Sequence, residues 1–266
     1  MLNELYDGCD SLLILEEGYP IYEELIRGYL NKGKTIKGRL DGTIPRDGEL
    51  NPNKVAEALN IDVPHGMSIP DVVAGRPPSL CKGCPHIFSY NALNEALDTY
   101  SKGRVFSDIG CYTLGALQPF NAINSCVDMG ASITMAKGAA DAGFRPAVAV
   151  IGDSTFTHSG MTGLLDACND KSPITVLILD NSTTAMTGGQ NSAATGRIEA
   201  ICEALGVEKE HIHVLNPIPK NHDQMAKVMK EEIAYEGVSV IIPRRECLQT
   251  LAKRKRAEKK AKEMQN

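Results

Sequence analysis

Two kinds of apolar pattern alternate along this chain. From Leu80 onward, short runs that are apolar at nearly every position take turns with segments whose apolar residues recur at helical spacing. The runs RVFSDIG, PAVAVIGD, ITVLILDN, IHVLNP and VSVIIPRREC predict strands. The segments IFSYNALNEALDTYS, MGASITMAKGAADAG, GMTGLLDACND, TGRIEAICEALG and NHDQMAKVMKEEIAY predict helices. A strand without a polar face must be covered on both sides. The alternation therefore predicts an α/β fold, a parallel sheet covered by helices on both faces.

The opening segment is different. SLLILEEGYP predicts a strand, Leu12 to Leu15, that ends in a polar turn. PIYEELIRGYLNKG predicts a helix opened by Pro20, with Ile21, Leu25, Ile26 and Leu30 on one side. KTIKGRLDGTIPRDGEL is turn-rich, and NPNKVAEALNI predicts a short helix with Asn51 as its cap and Pro52 behind it. One strand and two helices make a poor domain alone. Residues 1–66 are therefore expected to be the C-terminal part of a preceding α/β domain. The proline-rich stretch DVPHGMSIPDVVAGRPPSL marks the boundary, and residues 67–250 form the principal domain. The tail, 251–266, is a charge run that reads as a solvated helix or a docking arm for a partner.

Composition narrows the function. A hydrophobic content of 42% and a charged content of 23% suit an ordinary soluble globular protein. There is no Trp, aromatic residues are few, and the net charge is −5, which argues against a nucleic-acid platform or an anionic membrane as partner. No segment approaches the ~18 apolar residues of a membrane span, and the start MLNELYDGCD lacks a signal pattern, so a cytoplasmic location is expected. Eight cysteines are many for a reducing compartment and favour catalysis, metal binding or a cluster over disulfides.

Two polar turns follow predicted strands: GDS at 152–154 and DN at 180–181. Asp153 and Asn181 there can offer two hard oxygens to one Mg²⁺, and the backbone at Gly152 can approach a phosphate. Either turn alone is an ordinary strand end, where Asp and Asn are common. As a pair they point to a diphosphate held through Mg²⁺. Cys81 and Cys84 form a Cys-x-x-Cys before a helix, compatible with a zinc clip or a redox pair. Cys111 and Cys247 close predicted strands on the same sheet edge. His86 follows the cysteine pair directly. His158 has a weaker claim on chemistry, and His211, His213 and His222 lack convincing metal spacing. Cys9, Cys168 and Cys202 read as ordinary thiols.

Gly-Asp-Ser followed by Asp-Asn resembles the Gly-Asp-Gly…Asn-Asn signature of thiamine-diphosphate enzymes, with Ser154 and Asp180 as departures. IGDSTFTHSG, LDNSTTAMTGG, DIGCYTLG, MGASI and CKGCPH together resemble the thiamine-diphosphate half of the indolepyruvate:ferredoxin oxidoreductase alpha subunit. That places the chain with the 2-oxoacid:ferredoxin oxidoreductases. RLDGTIPRDGELNP resembles the same subunit's preceding domain.

The resemblance implies thiamine diphosphate contacts from Gly152, Asp153, Ser154, Thr155, Asn181, Thr183, Ala185, Met186 and Thr187, with Mg²⁺ on Asp153, Asn181 and Thr183. It implies a 4Fe–4S cluster on Cys81, Cys84, Cys111 and Cys247, with Cys126 as a substitute ligand, and a catalytic role for His86 toward a substrate carboxylate or a proton. The implied activity is oxidative decarboxylation of an arylpyruvate-type 2-oxoacid to an acyl-CoA, with electrons passed to ferredoxin. The family's pyrimidine-binding domain and its ferredoxin-like cysteine run are absent here. The chain is thus expected to be one piece of a split enzyme. Its expected partners are a subunit supplying the pyrimidine-binding domain and activating carboxylate, ferredoxin or a ferredoxin-like subunit, the 2-oxoacid and coenzyme A. The alternatives are a subunit of a non-oxidative thiamine-diphosphate decarboxylase and a non-catalytic assembly subunit.

Overall fold

Two folding units divide the chain between Gly75 and Arg76 in a computed structural model, which describes residues 2–30, 33–63 and 66–263. The first unit contains α1 (Leu2–Asp7), β1 (Ser11–Leu13), α2 (Ile21–Leu30), β2 (Thr35–Lys37) and α3 (Pro52–Ala58). The two strands pair in parallel with Leu12 opposite Ile36. Tyr6 and Ile36 are buried against Leu12, Ile14 and Ile26. The turn-rich expectation for 34–50 missed β2 because only Ile36 of its three residues is buried, too short a run to show a period. The turn that follows is organised by buried Glu23, whose Oε2 accepts the Arg39 N–H at 2.6 Å and the Leu40 N–H at 3.1 Å. At α3 the cap is as predicted: Asn51 Oδ1 accepts the Lys54 N–H at 3.1 Å.

The second unit is built on α4 (Pro85–Ala96), β3 (Val105–Ser107), β4 (Ser125–Cys126), α5 (Ala131–Asp141) and β5 (Val148–Gly152). A helical run starts at Asp153 as α6 (Asp153–Thr155), widens into a π turn over Phe156–Gly160 and continues as α7 (Met161–Asp170). Then come β6 (Thr175–Leu179), the short hairpin β7 (Thr183–Thr184) and β8 (Gln190–Asn191), α8 (Ile198–Ala204), β9 (Ile212–Leu215), α9 (His222–Ile233), β10 (Ser239–Pro243) and α10 (Leu248–Glu263).

Six of these strands form one sheet in the order β4-β3-β5-β6-β10-β9, and each pairing is parallel. In β5 and β6 every residue is buried, as the unbroken apolar runs predict. Ala149, Ile151, Val176 and Ile178 pack on one face with α5, α7 and α8. Val148, Val150, Leu177 and Leu179 pack on the other with α4 and α9. Period-two alternation thus splits each strand between two apolar clusters. At α10 no residue is buried, and residues 251–263 of the basic tail lie on this helix.

Topology selects one edge for ligands. From β3 the chain goes outward to β4, and from β5 it goes the opposite way to β6. The strand order therefore reverses between β3 and β5, the place where open α/β sheets leave a crevice at their carboxyl ends.

Candidate active site

That crevice is occupied by a cleft of about 660 Å³ of atom-free space, partly open to solvent. Residues 109–112 after β3 form one wall, residues 152–155 after β5 form the floor, and residues 181–187 after β6 form the other wall. The floor is close-fitting. A Cβ at Gly110 would stand 2.3 Å from the Tyr112 ring, and one at Gly152 would stand 2.5 Å from it. Both glycines are needed to let Tyr112 lie where it does. The ring is buried, and the Tyr112 carbonyl accepts the Tyr90 hydroxyl at 2.6 Å.

Asp153 stands at the start of the helical run and is 3% exposed. Its Oδ1 accepts the Ser154 N–H at 2.6 Å, while Oδ2 is buried with no hydrogen-bond partner. Burial raises the carboxyl from its ordinary 3.8 to about 6; the Ser154 N–H opposes the rise and the nearby Asp180 charge adds to it. Asn181, also buried, offers Oδ1 to the Thr183 N–H at 3.2 Å. Ser154 and Thr184 hydroxyls bond each other at 2.8 Å and tie the two turns together. The Thr183 hydroxyl donates to the Gln190 carbonyl at 2.9 Å, which holds the β7–β8 hairpin closed around residues 185–187.

A second cavity adjoins the first. It is lined by Cys81, Cys84, Cys111, Cys247 and His86 among others. Cys111, Asn181, Ala185 and Met186 line both cavities and form the wall they share. Burial, reinforced by Cys84 and Cys247, pushes the Cys111 thiol up to about 12, and burial also raises Cys84. The Gln249 side-chain amide, at the start of α10, donates to Cys81 Sγ at 3.7 Å. His86 is 2% exposed and burial lowers its pKa to about 4, so the ring is neutral.

The pair of turns on adjacent strand ends, over a glycine floor, corresponds to a known sequence family. Residues 108–242 match the family described as thiamine pyrophosphate enzyme, C-terminal TPP binding domain. The chain belongs to that family. The match runs from the residue after β3 into β10 and so contains every turn that forms the cleft.

Among curated relatives, this thiamine pyrophosphate domain is 34% identical to indolepyruvate oxidoreductase subunit IorA of Methanothermobacter thermautotrophicus, over 93% of this chain and 43% of that protein. It is 33% identical to the subunit of the same name from Archaeoglobus fulgidus, over 98% of this chain and 44% of that protein. The chain thus spans less than half the length of these relatives. A 2-oxoglutarate:ferredoxin oxidoreductase from Magnetococcus marinus shares the fold, with a TM-score of 0.52 at 17% identity over 65% of this chain and 66% of that one.

The structure gathers Gly152, Asp153, Ser154, Thr155, Asn181, Thr183, Ala185, Met186 and Thr187 around one cleft. Cys126 does not line the second cavity; its thiol donates to the Asp108 carbonyl at 3.4 Å. Cys202 is buried in the apolar cluster with α8, and Cys168 packs against that cluster. Among the described residues, no group of three or more His, Cys, Asp or Glu side chains is close enough to hold a single metal ion.

Two residues escaped the sequence reading. Tyr112 forms part of the cleft floor. Asp108, fully buried at the end of β3, accepts the Gly130 N–H at 2.8 Å and the Ser132 N–H at 2.9 Å, and so fastens the start of α5. The Asp-Ile-Gly-Cys-Tyr stretch holds both residues, but their roles depend on partners distant in sequence, Gly130 and Ser132 for Asp108 and Gly152 for Tyr112.

Proposed function

We propose that this chain is the thiamine-diphosphate-binding component of a 2-oxoacid:ferredoxin oxidoreductase that acts on an arylpyruvate-type acid. The observation that carries the reading is Asp153 Oδ2, a buried carboxylate oxygen without a partner, beside the Asn181 amide at the switch point. An unpartnered buried carboxylate is costly and calls for a cation. Mg²⁺ takes oxygen ligands and keeps places for phosphate, which suits Asp153, Asn181 and Thr183. The relatives named for indolepyruvate support the substrate class.

Thiamine diphosphate supplies the carbon nucleophile and electron sink for 2-oxoacid decarboxylation. Around it, this chain's own residues have simpler tasks. Gly152 lets the backbone come close to the diphosphate, and Ser154 and Thr155 open the helical run whose N–H groups face it. Ala185, Met186 and Thr187 cover the opposite side, and the buried Tyr112 ring closes the floor. Cys81, Cys84, Cys111 and Cys247 are the ligands for a 4Fe–4S cluster next to the cleft. Burial raises the Cys84 and Cys111 thiols and makes these two poor free nucleophiles, which counts against a disulfide-exchange role. His86 lines the cysteine cavity, so contact with a substrate carboxylate needs rearrangement of the shared wall.

The carboxylate that activates the aminopyrimidine, the ferredoxin or ferredoxin-like acceptor and the coenzyme A site belong to the assembled complex. A cytoplasmic location fits eight free cysteines.

Calorimetry and anaerobic iron analysis test this reading. The chain should bind thiamine diphosphate only with Mg²⁺ present and should hold close to four irons. Turnover of an arylpyruvate should appear only when the pyrimidine-domain subunit is added. Zinc or no metal at the cysteines, with decarboxylation intact, would instead indicate the non-oxidative enzyme.

A further inference from the structure

We propose that His86 is a positioning residue that sets the orientation of the Asn181 amide, so that this one side chain serves both cavities. The inference rests on the cofactor and cluster sites proposed above.

Asn181 is buried in the shared wall, and its two ends meet different partners. The Thr183 N–H, 3.2 Å away, can only donate, so the atom facing it is the carbonyl Oδ1. The amino end, Nδ2, lies 3.3 Å from His86 Nε2 and 3.9 Å from Cys111 Sγ. An NH₂ group can only donate. His86 Nε2 is therefore the acceptor, and the ring proton sits on Nδ1.

The alternative amide orientation is excluded by these same partners. It would set the amide NH₂ against the Thr183 N–H, donor facing donor, and turn Oδ1 toward the sulfur of Cys111, which is 3.4 Å from His86 Nε2. With His86 as acceptor, the amide keeps its oxygen for the Mg²⁺ side and turns an N–H toward a cluster thiolate. Outer partners of this kind hold ligands in register, and their loss costs 10- to 100-fold in metal affinity. N–H groups directed at cluster sulfurs also raise reduction potentials.

The test compares His86→Leu, which removes the acceptor at similar size, with His86→Gln, whose side-chain oxygen can replace it. Each full chain is purified anaerobically, checked for folding by circular dichroism and for iron content. It is then titrated with thiamine diphosphate and Mg²⁺ by calorimetry and with reductant by paramagnetic resonance. His86→Leu should bind thiamine diphosphate at least tenfold more weakly and move the cluster midpoint to lower potential. His86→Gln should restore both toward wild type.

Unchanged affinity and potential in a folded, iron-loaded His86→Leu protein overturns the inference while leaving the cluster reading intact. Equal losses in both variants overturn it too, because they show that only the ring's bulk matters. A wild-type chain without iron defeats the cluster reading and with it the Cys111 arm of this inference.

Discussion

Arg244, just past the end of β10, places its Nε 2.5 Å from Asp180 Oδ2 at the end of β6. Its two remaining nitrogens grip Glu199 at 2.7 and 2.6 Å. Asp180 is 2% exposed and also receives the Ser182 N–H, so its carboxylate is already engaged. This explains how an Asp can stand where thiamine-diphosphate enzymes have Asn. Arg244 holds the Asp180 carboxylate, while Asn181 and Asp153 line the cleft.

Arg244→Met should therefore destabilise the protein by about 2 kcal/mol. This is less than for a wholly buried pair, because the arginine is 30% exposed. Urea denaturation of the cofactor-free protein gives the number. An unchanged midpoint would mean that Asp180 does not depend on the arginine.

Asp153→Asn should abolish Mg²⁺-dependent thiamine diphosphate binding, which calorimetry reads directly. The same change should stabilise the cofactor-free protein. In the folded chain the carboxyl has a pKa of about 6, above its ordinary 3.8, so ionisation costs more folded than unfolded. Wild-type stability should fall as pH rises from about 4 through about 6 and stay low above that. The Asn variant does not titrate. It should lead wild type by about 3 kcal/mol at pH 7.5, and the two should converge below pH 4. Parallel stability curves from pH 4 to 8 would contradict this.

Gly152→Ala tests the floor. Its new methyl would meet the Tyr112 ring at 2.5 Å, so the ring or the backbone must shift. A stability loss of about 1–3 kcal/mol is expected, together with at least tenfold weaker thiamine diphosphate binding. A double variant with Tyr112→Leu should recover most of the stability and little of the binding, as thermal melts and calorimetry would show.

Replacing Cys81, Cys84, Cys111 or Cys247 singly by Ser should lower iron content and acceptor-linked turnover in the assembled complex. Cys168→Ser, away from both cavities, should change neither. Iron retained in all four single variants would remove the cluster from this chain.

The main sheet was legible because β5, β6 and β10 are apolar at nearly every position, buried throughout and flanked by segments of clear helical period. The predicted order of strands and helices after Leu80 is the order observed. Elements too short to carry a period were not legible: β2 buries one residue, and β4 is two residues long. The π turn at Phe156–Gly160 has no local signature, since it is set by packing of Phe156 and Leu164 under the sheet. At the site, Asp153 and Asn181 could be read from their positions after strands. The fit of Tyr112 between Gly110 and Gly152 could not, because three segments distant in sequence must meet before it exists.

The wall between the two cavities is a single layer made from Cys111, Asn181, Ala185 and Met186. The segments 109–112 and 181–187 each contribute lining residues to both chambers. A substitution selected for its effect on the diphosphate cleft is therefore felt at the thiols, and the reverse. The segments 109–112 and 181–187 cannot drift independently, so the two chambers are inherited as one block and diversify together or not at all.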